Sequence, residues 1–484
     1  MKEKIIRRIL AEVLKEFKDN QALDSEGAKL TYEILRNELS YTAIELLEKS
    51  PDEVYDAIIK RYTETVTAIS KLSPGIATAL EDLQNNIYLS SYMGDIGDET
   101  KTKVTKDTRF DLASITKMFT ALEALKLNQD GLFDIYSIID EINLSPYKTL
   151  HINVLDIMRF KYELITKARI DEKGISSPEF YRRLLRPSIG KNKYIYSDIP
   201  YIIAKTLLPN MHEFFAEYYD ELGYTTLGYN IDGVITGGAD FLGVSDSKAR
   251  QMMRLGIQPG HAGLFGTVDD VLKVGEILDN GFLSKDSLDM LVSSGTSDYY
   301  TPLYGPTGAL VKYTAINHGT GVFIEHPEGL AVSEVIPGLS KHAFSATGYT
   351  GTYATYDLIN GFATAFLPNP ISIAATPPNY LGYTCDENNH DLLEVDGIPY
   401  PNGTIIMSKY DSGKKIINAY NPSHHISSNR TYTSMTNQLK TEQLYTVYKL
   451  RLAKKVSLAL AQSELQVDYI NKKYSGGKTF TKKI

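Results

Sequence analysis

Strand-type alternation falls in two blocks that lie far apart in this chain of 484 residues, and that separation limits the folds open to it. The first block is PGIATALED (74–82) with NNIYLSSYMGD (85–95), two strands meeting at a tight turn around Leu83–Asn86. The second begins at Thr307 and runs through GALVKYTAINHGTGVFIEH, GLAVSEVI, SATGYTGTYATYDL and GFATAFLPN, with Gly and Asn at the corners. The stretch between, 132–290, carries mostly helical spacing broken by Gly-, Asp- and Asn-rich loops. Helical pattern also fills residues 1–70, and a last long helix is expected from Glu442 to Ile470. No strand–helix unit repeats, which argues against a doubly wound parallel sheet. The expected fold class is α+β (mixed α/β): one antiparallel β-sheet flanked by helices, built from both ends of the domain, with a helical subdomain inserted between.

The expected organisation is a helical N-terminal extension (1–73), a central domain (74–370), an irregular insertion or small subdomain rich in Pro, Asn, Tyr and Ser (371–440), and a C-terminal helix packing back on the domain (441–484). Within the extension, Pro51 fits the first turn of a helix capped by Ser50. Ile5, Ile6, Ile9, Leu10, Val13, Leu14 and Phe17 make an apolar stripe, read either as an interfacial membrane helix or, preferably, as a face packed on the body.

A formal charge of −8 argues against nucleic acid as the main partner, and 43% apolar with 23% charged residues suits a soluble globular chain. A single cysteine, Cys385, rules out an intrachain disulfide and a cysteine-rich metal site. The sequence as written has no signal peptide and no stretch of transmembrane length, which reads as cytoplasmic, or as extracellular or cell-envelope if the chain is truncated. Nothing in it sets an oligomeric state.

Chemistry enters at DTRFDLASITKMFTALEALKLNQDG (107–131). A polar extended segment runs into an amphipathic helix at Ser114, with Gly131 as its stop. Ser114 and Lys117 share one helical face a turn apart, and free amides at a helix start favour developing negative charge there. The same residues also read as a capping serine and a solvent-facing lysine, and Ser-x-x-Lys recurs at Ser188–Lys191, Ser245–Lys248, Ser412–Lys415 and Ser475–Lys478. A second constellation, KYIYSDIPYIIAK (193–205), places Tyr196 before a helix that Ser197 or Asp198 can cap, with either within reach of Lys117. Against that, an ordinary capped helix after a core tyrosine is a common thing in a chain with 34 tyrosines.

Taken together, these segments resemble the serine β-lactamase and penicillin-binding-protein family, in its class C, D-aminopeptidase and esterase branch. SITK (114–117) resembles the first active-site box and YSD (196–198) the second, Tyr-x-Asn. GIQPGHAGLFGTVDDVLKVGEIL (256–278) is similar to the Gly-His-Ala-Gly-Leu stretch of the related esterases. FSATGYTGTYATYDLINGFATAFLPN (344–369) resembles the third box with its strand pair. The resemblance implies a β-lactamase/transpeptidase-like fold and acyl transfer by Ser114, with Lys117 and Tyr196 handling the proton. It further implies an oxyanion held by the backbone amides of Ser114 and Tyr349, with no cofactor and no metal. His261 between Gly260 and Gly263 is read as a loop-fixing residue whose ring bonds backbone; the other histidines are scattered and form no metal-binding helix motif.

Two residues depart from that pattern. Asp198 replaces an amide, which favours the charged ammonium of Lys117 and shifts the base role to Tyr196. Ala346 precedes Thr347 and Gly348 where His or Lys is usual, so a neutral ester or amide suits the site better than a substrate carboxylate; His342 is a weak candidate to substitute. The expected function is an esterase or D-amino-acid peptidase-like serine hydrolase acting on a small-molecule or peptidoglycan-like substrate. Alternatives are a catalytically impaired binding or regulatory protein on the same scaffold, and a D,D-carboxypeptidase or weak β-lactamase.

Overall fold

Small and large side chains alternate along the central strands, and this alternation sorts the two faces of the sheet. The computed structural model describes residues 1–70, 73, 75–97, 100–143, 145–166, 175–190, 196–208, 222–224, 226–229, 246–294, 300–304, 310–315, 317–325, 335–348, 350–369, 379–383, 392–395, 398–401, 405–411, 414–421, 426–427 and 432–473. Helices α1 (Lys2–Asn20), α2 (Glu26–Glu48) and α3 (Pro51–Ser70) come first, followed by strands β1 (Gly75–Asp82) and β2 (Ile87–Gly94). Next come β3 (Phe110–Asp111), a 3₁₀ turn (Ala113–Ile115), α4 (Thr116–Gln129), α5 (Val154–Met158), β4 (Leu164–Thr166), α6 (Ser177–Leu184), β5 (Pro187–Ile189) and α7 (Ile199–Leu207). They lead into α8 (Ser247–Arg254), β6 (Phe265–Gly266), α9 (Val268–Asp279) and α10 (Lys285–Val292). The second strand block holds β7 (Tyr300–Tyr304), β8 (Leu310–Ala315), β9 (Asn317–His318), β10 (Phe323–Ile324), β11 (Ala343–Thr347), β12 (Tyr353–Asp357) and β13 (Phe362–Pro368).

The main sheet has seven strands in the order β2-β1-β13-β12-β11-β10-β9, antiparallel throughout. Strand β1 pairs with β13 (Ala79 opposite Ala365), so the two distant sequence blocks close one sheet as expected. Ala77, Ala79, Ala354, Ala363 and Ala365 point to the face that carries α4 and α9, and Ile76, Leu80, Tyr353, Phe362 and Phe366 point to the other. The alanine face lets α9 approach closely: Tyr356 donates its hydroxyl to the Val271 carbonyl at 2.5 Å.

The bulky face is covered by α1–α3 and the last helix, α11 (Tyr432–Lys473), which starts about three turns earlier than Glu442. Ile6, Ile9, Val13 and Phe17 of the N-terminal stripe are buried there, so that stripe packs on the body rather than waiting for a membrane. Ser50 and Glu53 form the expected cap at the head of α3, each side chain bonding the other's amide. Among the described residues no helix is long and apolar enough to cross a membrane.

Among the described residues the inserted stretch is mostly helical, as expected, but it also contributes β6, paired with β3, and a small antiparallel ladder of β4 with β5 where helix and loop are expected. Within 371–440, the structure has β14 (Asn379–Tyr383), β15 (Leu392–Val395), β16 (Ile398–Pro401), β17 (Ile405–Asp411), β18 (Lys414–Asn421) and β19 (Ile426–Ser427), in a four-stranded sheet β14-β17-β18-β19 and a hairpin β15-β16.

Candidate active site

The Ser114 turn is held from both sides before its helix begins. Strand β3 pairs with β6, and the Leu112 amide donates to Leu264 O at 3.0 Å. On the other side Thr350 Oγ1 donates to Asp111 O at 3.0 Å. Ala113 is forced to φ 45°, a left-handed conformation costly for a residue with a side chain. The buried Asp111 carboxylate fixes it by accepting the Ala113 amide at 2.8 Å. Ser114 therefore emerges half-buried from a strained turn that runs directly into α4.

Lys117 is buried one turn on, and its ammonium donates to Ser114 Oγ at 2.9 Å, to Asp198 Oδ1 at 2.9 Å and to the His261 carbonyl at 3.2 Å. A solvent-facing lysine is thereby ruled out. The His261 carbonyl reaches it because Gly260 is pressed onto α7, where a Cβ would come within 2.4 Å of Tyr201 O. Tyr196 lies with its ring centre 4.9 Å from the same ammonium and is 39% exposed, open to the site. At the head of α7 Ser197 Oγ accepts the Ile199 amide at 3.3 Å, whereas Asp198 makes no side-chain cap and is spent on lysines. Burial opposes charge on Lys117, but Tyr196 and Asp198 outweigh it and hold its pKa above the ordinary lysine value. Burial likewise opposes charge on Asp198, and Lys117, His261 and Lys248 outweigh it, so the carboxyl titrates well below its usual range.

The His261 ring bonds a carboxylate where backbone was expected: Nε2 lies 2.9 Å from Asp246 Oδ1. Asp198, Asp246 and His261 offer acceptor atoms within 4.8 Å of one another. Both oxygens of Asp198 already receive ammonium donors, from Lys117 and from Lys248 at 3.1 Å, so a metal ion would have to displace two internal cations. The other acidic group, Asp140, Glu141 and His151, lies at the surface, with His151 Nδ1 3.2 Å from Asp140.

Ala346 is buried in the core on β11, opposite Ala354, and contributes no polar group. His342 does not stand in for the usual cation, since its Nε2 lies 2.9 Å from Asp289 on α10. Thr347 ends the strand half-buried, and Gly348 follows it against the Ser114 turn, its amide donating to Thr352 O at 2.7 Å. Tyr349 lies outside the described residues.

Four functional candidates escaped the sequence reading. Asp246 caps α8 by accepting the Ala249 amide at 2.8 Å, and Lys248 stands in its first turn. Phe160 and His318 pack on Tyr196, with ring centres 5.0 and 5.5 Å away, and no spacing relates them to it. Phe160 has φ 57°, and with Ala113 it is one of two buried non-glycine residues in left-handed backbone among the described residues. Both flank the site, where such strain collects.

A β-lactamase family model matches residues 65–143, the stretch that holds β1, β2, the Ser114 turn and α4; Tyr196, Asp198, His261 and Ala346 lie beyond it. No curated protein matches the chain. Similar solved structures include EstCE1, "a hydrolase with promiscuous acyltransferase activity", at 15% identity over 65% of this chain and 94% of that one, TM-score 0.49. A β-lactamase/D-alanine carboxypeptidase from Pseudomonas syringae matches at 14% identity over 66% and 94%, TM-score 0.47. The D-amino acid amidase of Ochrobactrum anthropi SV3, complexed with L-phenylalanine amide, matches at 18% identity over 65% and 91%, TM-score 0.44. The mixed α/β fold, with its antiparallel sheet flanked by helices, is consistent with a β-lactamase/transpeptidase-like architecture.

Proposed function

We propose that the protein is a serine hydrolase that forms an acyl-enzyme at Ser114 with a neutral ester or amide, of the kind found in cell-envelope or small-molecule substrates. The observation that carries this reading is the convergence on one ammonium: Lys117 Nζ is 2.9 Å from Ser114 Oγ, bonded to Asp198 and 4.9 Å from the Tyr196 ring centre. A lysine held as an ammonium is a poor base, so it acts by its field. It orients Ser114 beside Tyr196, which takes the serine proton as Oγ attacks the carbonyl. The backbone amide of Ser114, at the head of α4, holds the oxyanion of the tetrahedral adduct. Tyr196 then returns the proton to the leaving oxygen or nitrogen, and water releases the acyl group by the same steps. Thr347 and Gly348 form the strand edge along which the substrate lies, and the chemistry needs no metal or organic cofactor.

An active-site fluorophosphonate tests the reading. It should label the wild type at Ser114 and leave Ser114→Ala unlabelled; undiminished labelling of that variant would end the proposal.

A second reading, a binding protein that kept the scaffold and lost turnover, is favoured by one observation: a buried alanine stands at 346, and His342 is engaged with Asp289. Inertness toward a panel of neutral esters, D-amino amides and β-lactams would support it. Faster turnover of substrates bearing a free carboxylate would instead favour a carboxypeptidase or weak β-lactamase.

A further inference from the structure

We propose that Lys248 is a positioning residue of the Ser114 site, holding the second oxygen of Asp198 so that a carboxylate can stand beside Lys117 without taking it as its whole counter-charge. The inference rests on the reading of Ser114 as the nucleophile, and it concerns how an aspartate functions at a position where an amide would carry no charge.

The geometry is a closed circuit. Asp198 Oδ1 accepts from Lys117 at 2.9 Å and Oδ2 accepts from Lys248 at 3.1 Å. Lys248 Nζ is also 3.8 Å from Asp246 Oδ2, while Asp246 Oδ1 lies 2.9 Å from His261 Nε2. The His261 carbonyl then accepts from Lys117 at 3.2 Å, which returns the path to its start. Two ammoniums and two carboxylates alternate around it, with His261 bridging Asp246 and Lys117. Lys117 alone against a partly buried aspartate would form a tight pair at the expense of its contact with Ser114. A second cation on the far oxygen divides that attraction.

Charged and titratable groups face this pair from every side. Lys117 comes from α4, Tyr196 from the chain before α7, Asp246 and Arg250 from α8 and its head, His261 from the loop before β6, and His318 from β9. Lys248 bonds Asp198 Oδ2 and faces Asp246, and in this proposal it acts on Ser114 through Asp198.

The experiment compares the pH dependence of fluorophosphonate labelling at Ser114 in the wild type, Lys248→Met, Lys248→Arg, Asp198→Asn and the double variant Asp198→Asn/Lys248→Met. Removing a nearby cation raises the pKa of whichever group accepts the serine proton, and removing a nearby anion lowers it. The acid limb of the labelling profile should therefore move up by about one unit in Lys248→Met and down by about one unit in Asp198→Asn. It should return close to the wild-type position in the double variant and stay in place in Lys248→Arg. A merely structural contact would not produce opposite shifts that cancel. Limbs that stay fixed, or that move the same way in both single variants, overturn the inference while leaving the nucleophile intact. A wild type that takes no label at Ser114 overturns the hydrolase reading and this inference with it. Lys248→Arg keeps the charge, and it decides the matter if Lys248→Met is unstable: a displaced limb in the arginine variant counts against a charge role.

Discussion

Gly348 lies against Ala113 so closely that a Cβ on Gly348 would come within 3.2 Å of the Ala113 methyl, 2.8 Å of Leu112 O and 2.1 Å of Thr352 Oγ1. The end of β11 and the turn that presents Ser114 are thus one packed unit. A Gly348→Ala variant has no room for its methyl unless β11 and the turn separate. Turnover of a small ester should fall about a hundredfold, the usual result of misplacing reacting groups by an ångström. The core below is untouched, so the melting temperature should drop only by several degrees. Wild-type kcat/KM in a folded Gly348→Ala protein would show that this contact does not set the geometry.

Arg451 of α11 is wholly buried, with Nε 2.6 Å from the Asp82 carboxylate at the end of β1 and Nη2 2.5 Å from Asn360 O. Removing one partner of a buried pair strands the other charge, at a cost of about 3–5 kcal/mol. Arg451→Met should lose stability of that order in urea unfolding. Changing Asp82 to Asn as well should recover part of it, since no carboxylate is then left without its cation. A loss within experimental error would mean that the last helix is anchored by its apolar face alone.

In the proposed mechanism Tyr196 and Lys117 act on one proton, so their losses should not add. Tyr196→Phe keeps the ring over the ammonium and removes only the hydroxyl; kcat should fall by roughly 10²–10⁴. Lys117→Ala should fall comparably, and the double variant little further, as is usual for groups that work as a unit. Wild-type turnover in Tyr196→Phe would remove the phenol from the mechanism, and multiplied losses in the double variant would separate the two roles.

The sheet was legible because its signal is local. Alternation in 74–95 and 343–369 marks strands wherever it occurs, and the absence of a strand–helix repeat leaves antiparallel pairing as the economical solution. Ser114, Lys117, Tyr196 and Asp198 were legible because each sits at a helix start with a recognisable pattern. Lys248 and His318 were not. Lys248 belonged to one of four Ser-x-x-Lys pairs dismissed as chance, and only the docking of α8 brings it to Asp198. His318 lies on a two-residue strand whose pairing with β10 stacks its ring 4.2 Å from that of Phe323, a tertiary fact with no periodicity behind it. The ladder β4–β5 was missed because three-residue strands are too short to show alternation.

His318 also makes stability depend on pH in a way that can be isolated. Its ring is fully buried among Phe160, Tyr196 and Phe323. Burial, with some help from the Lys117 charge, pushes its pKa down from 6.5 to about 3, against the opposing effect of the Val322 backbone. A histidine depressed in the folded state binds its proton more readily when unfolded, so its contribution is fully present above pH 6.5 and is lost as pH falls from 6.5 toward 3. At pH 5 the loss should be about 2 kcal/mol, from 1.36 kcal/mol per unit over the part of that window already crossed. His318→Phe keeps an aromatic ring in the same packing and removes the titration. The variant forfeits the backbone contact at every pH, so its stability relative to wild type should start lower or equal at pH 7. It should then improve by about 2 kcal/mol on going to pH 5. Acids with raised pKa values, Glu81, Glu123 and Glu325 at about 7, titrate in both proteins and cancel in the comparison. Urea unfolding of the two proteins at pH 7 and pH 5 measures the difference directly; parallel losses would show that His318 takes up its proton in the folded protein as easily as in the unfolded chain, and that the aromatic cluster around Tyr196 opens to water.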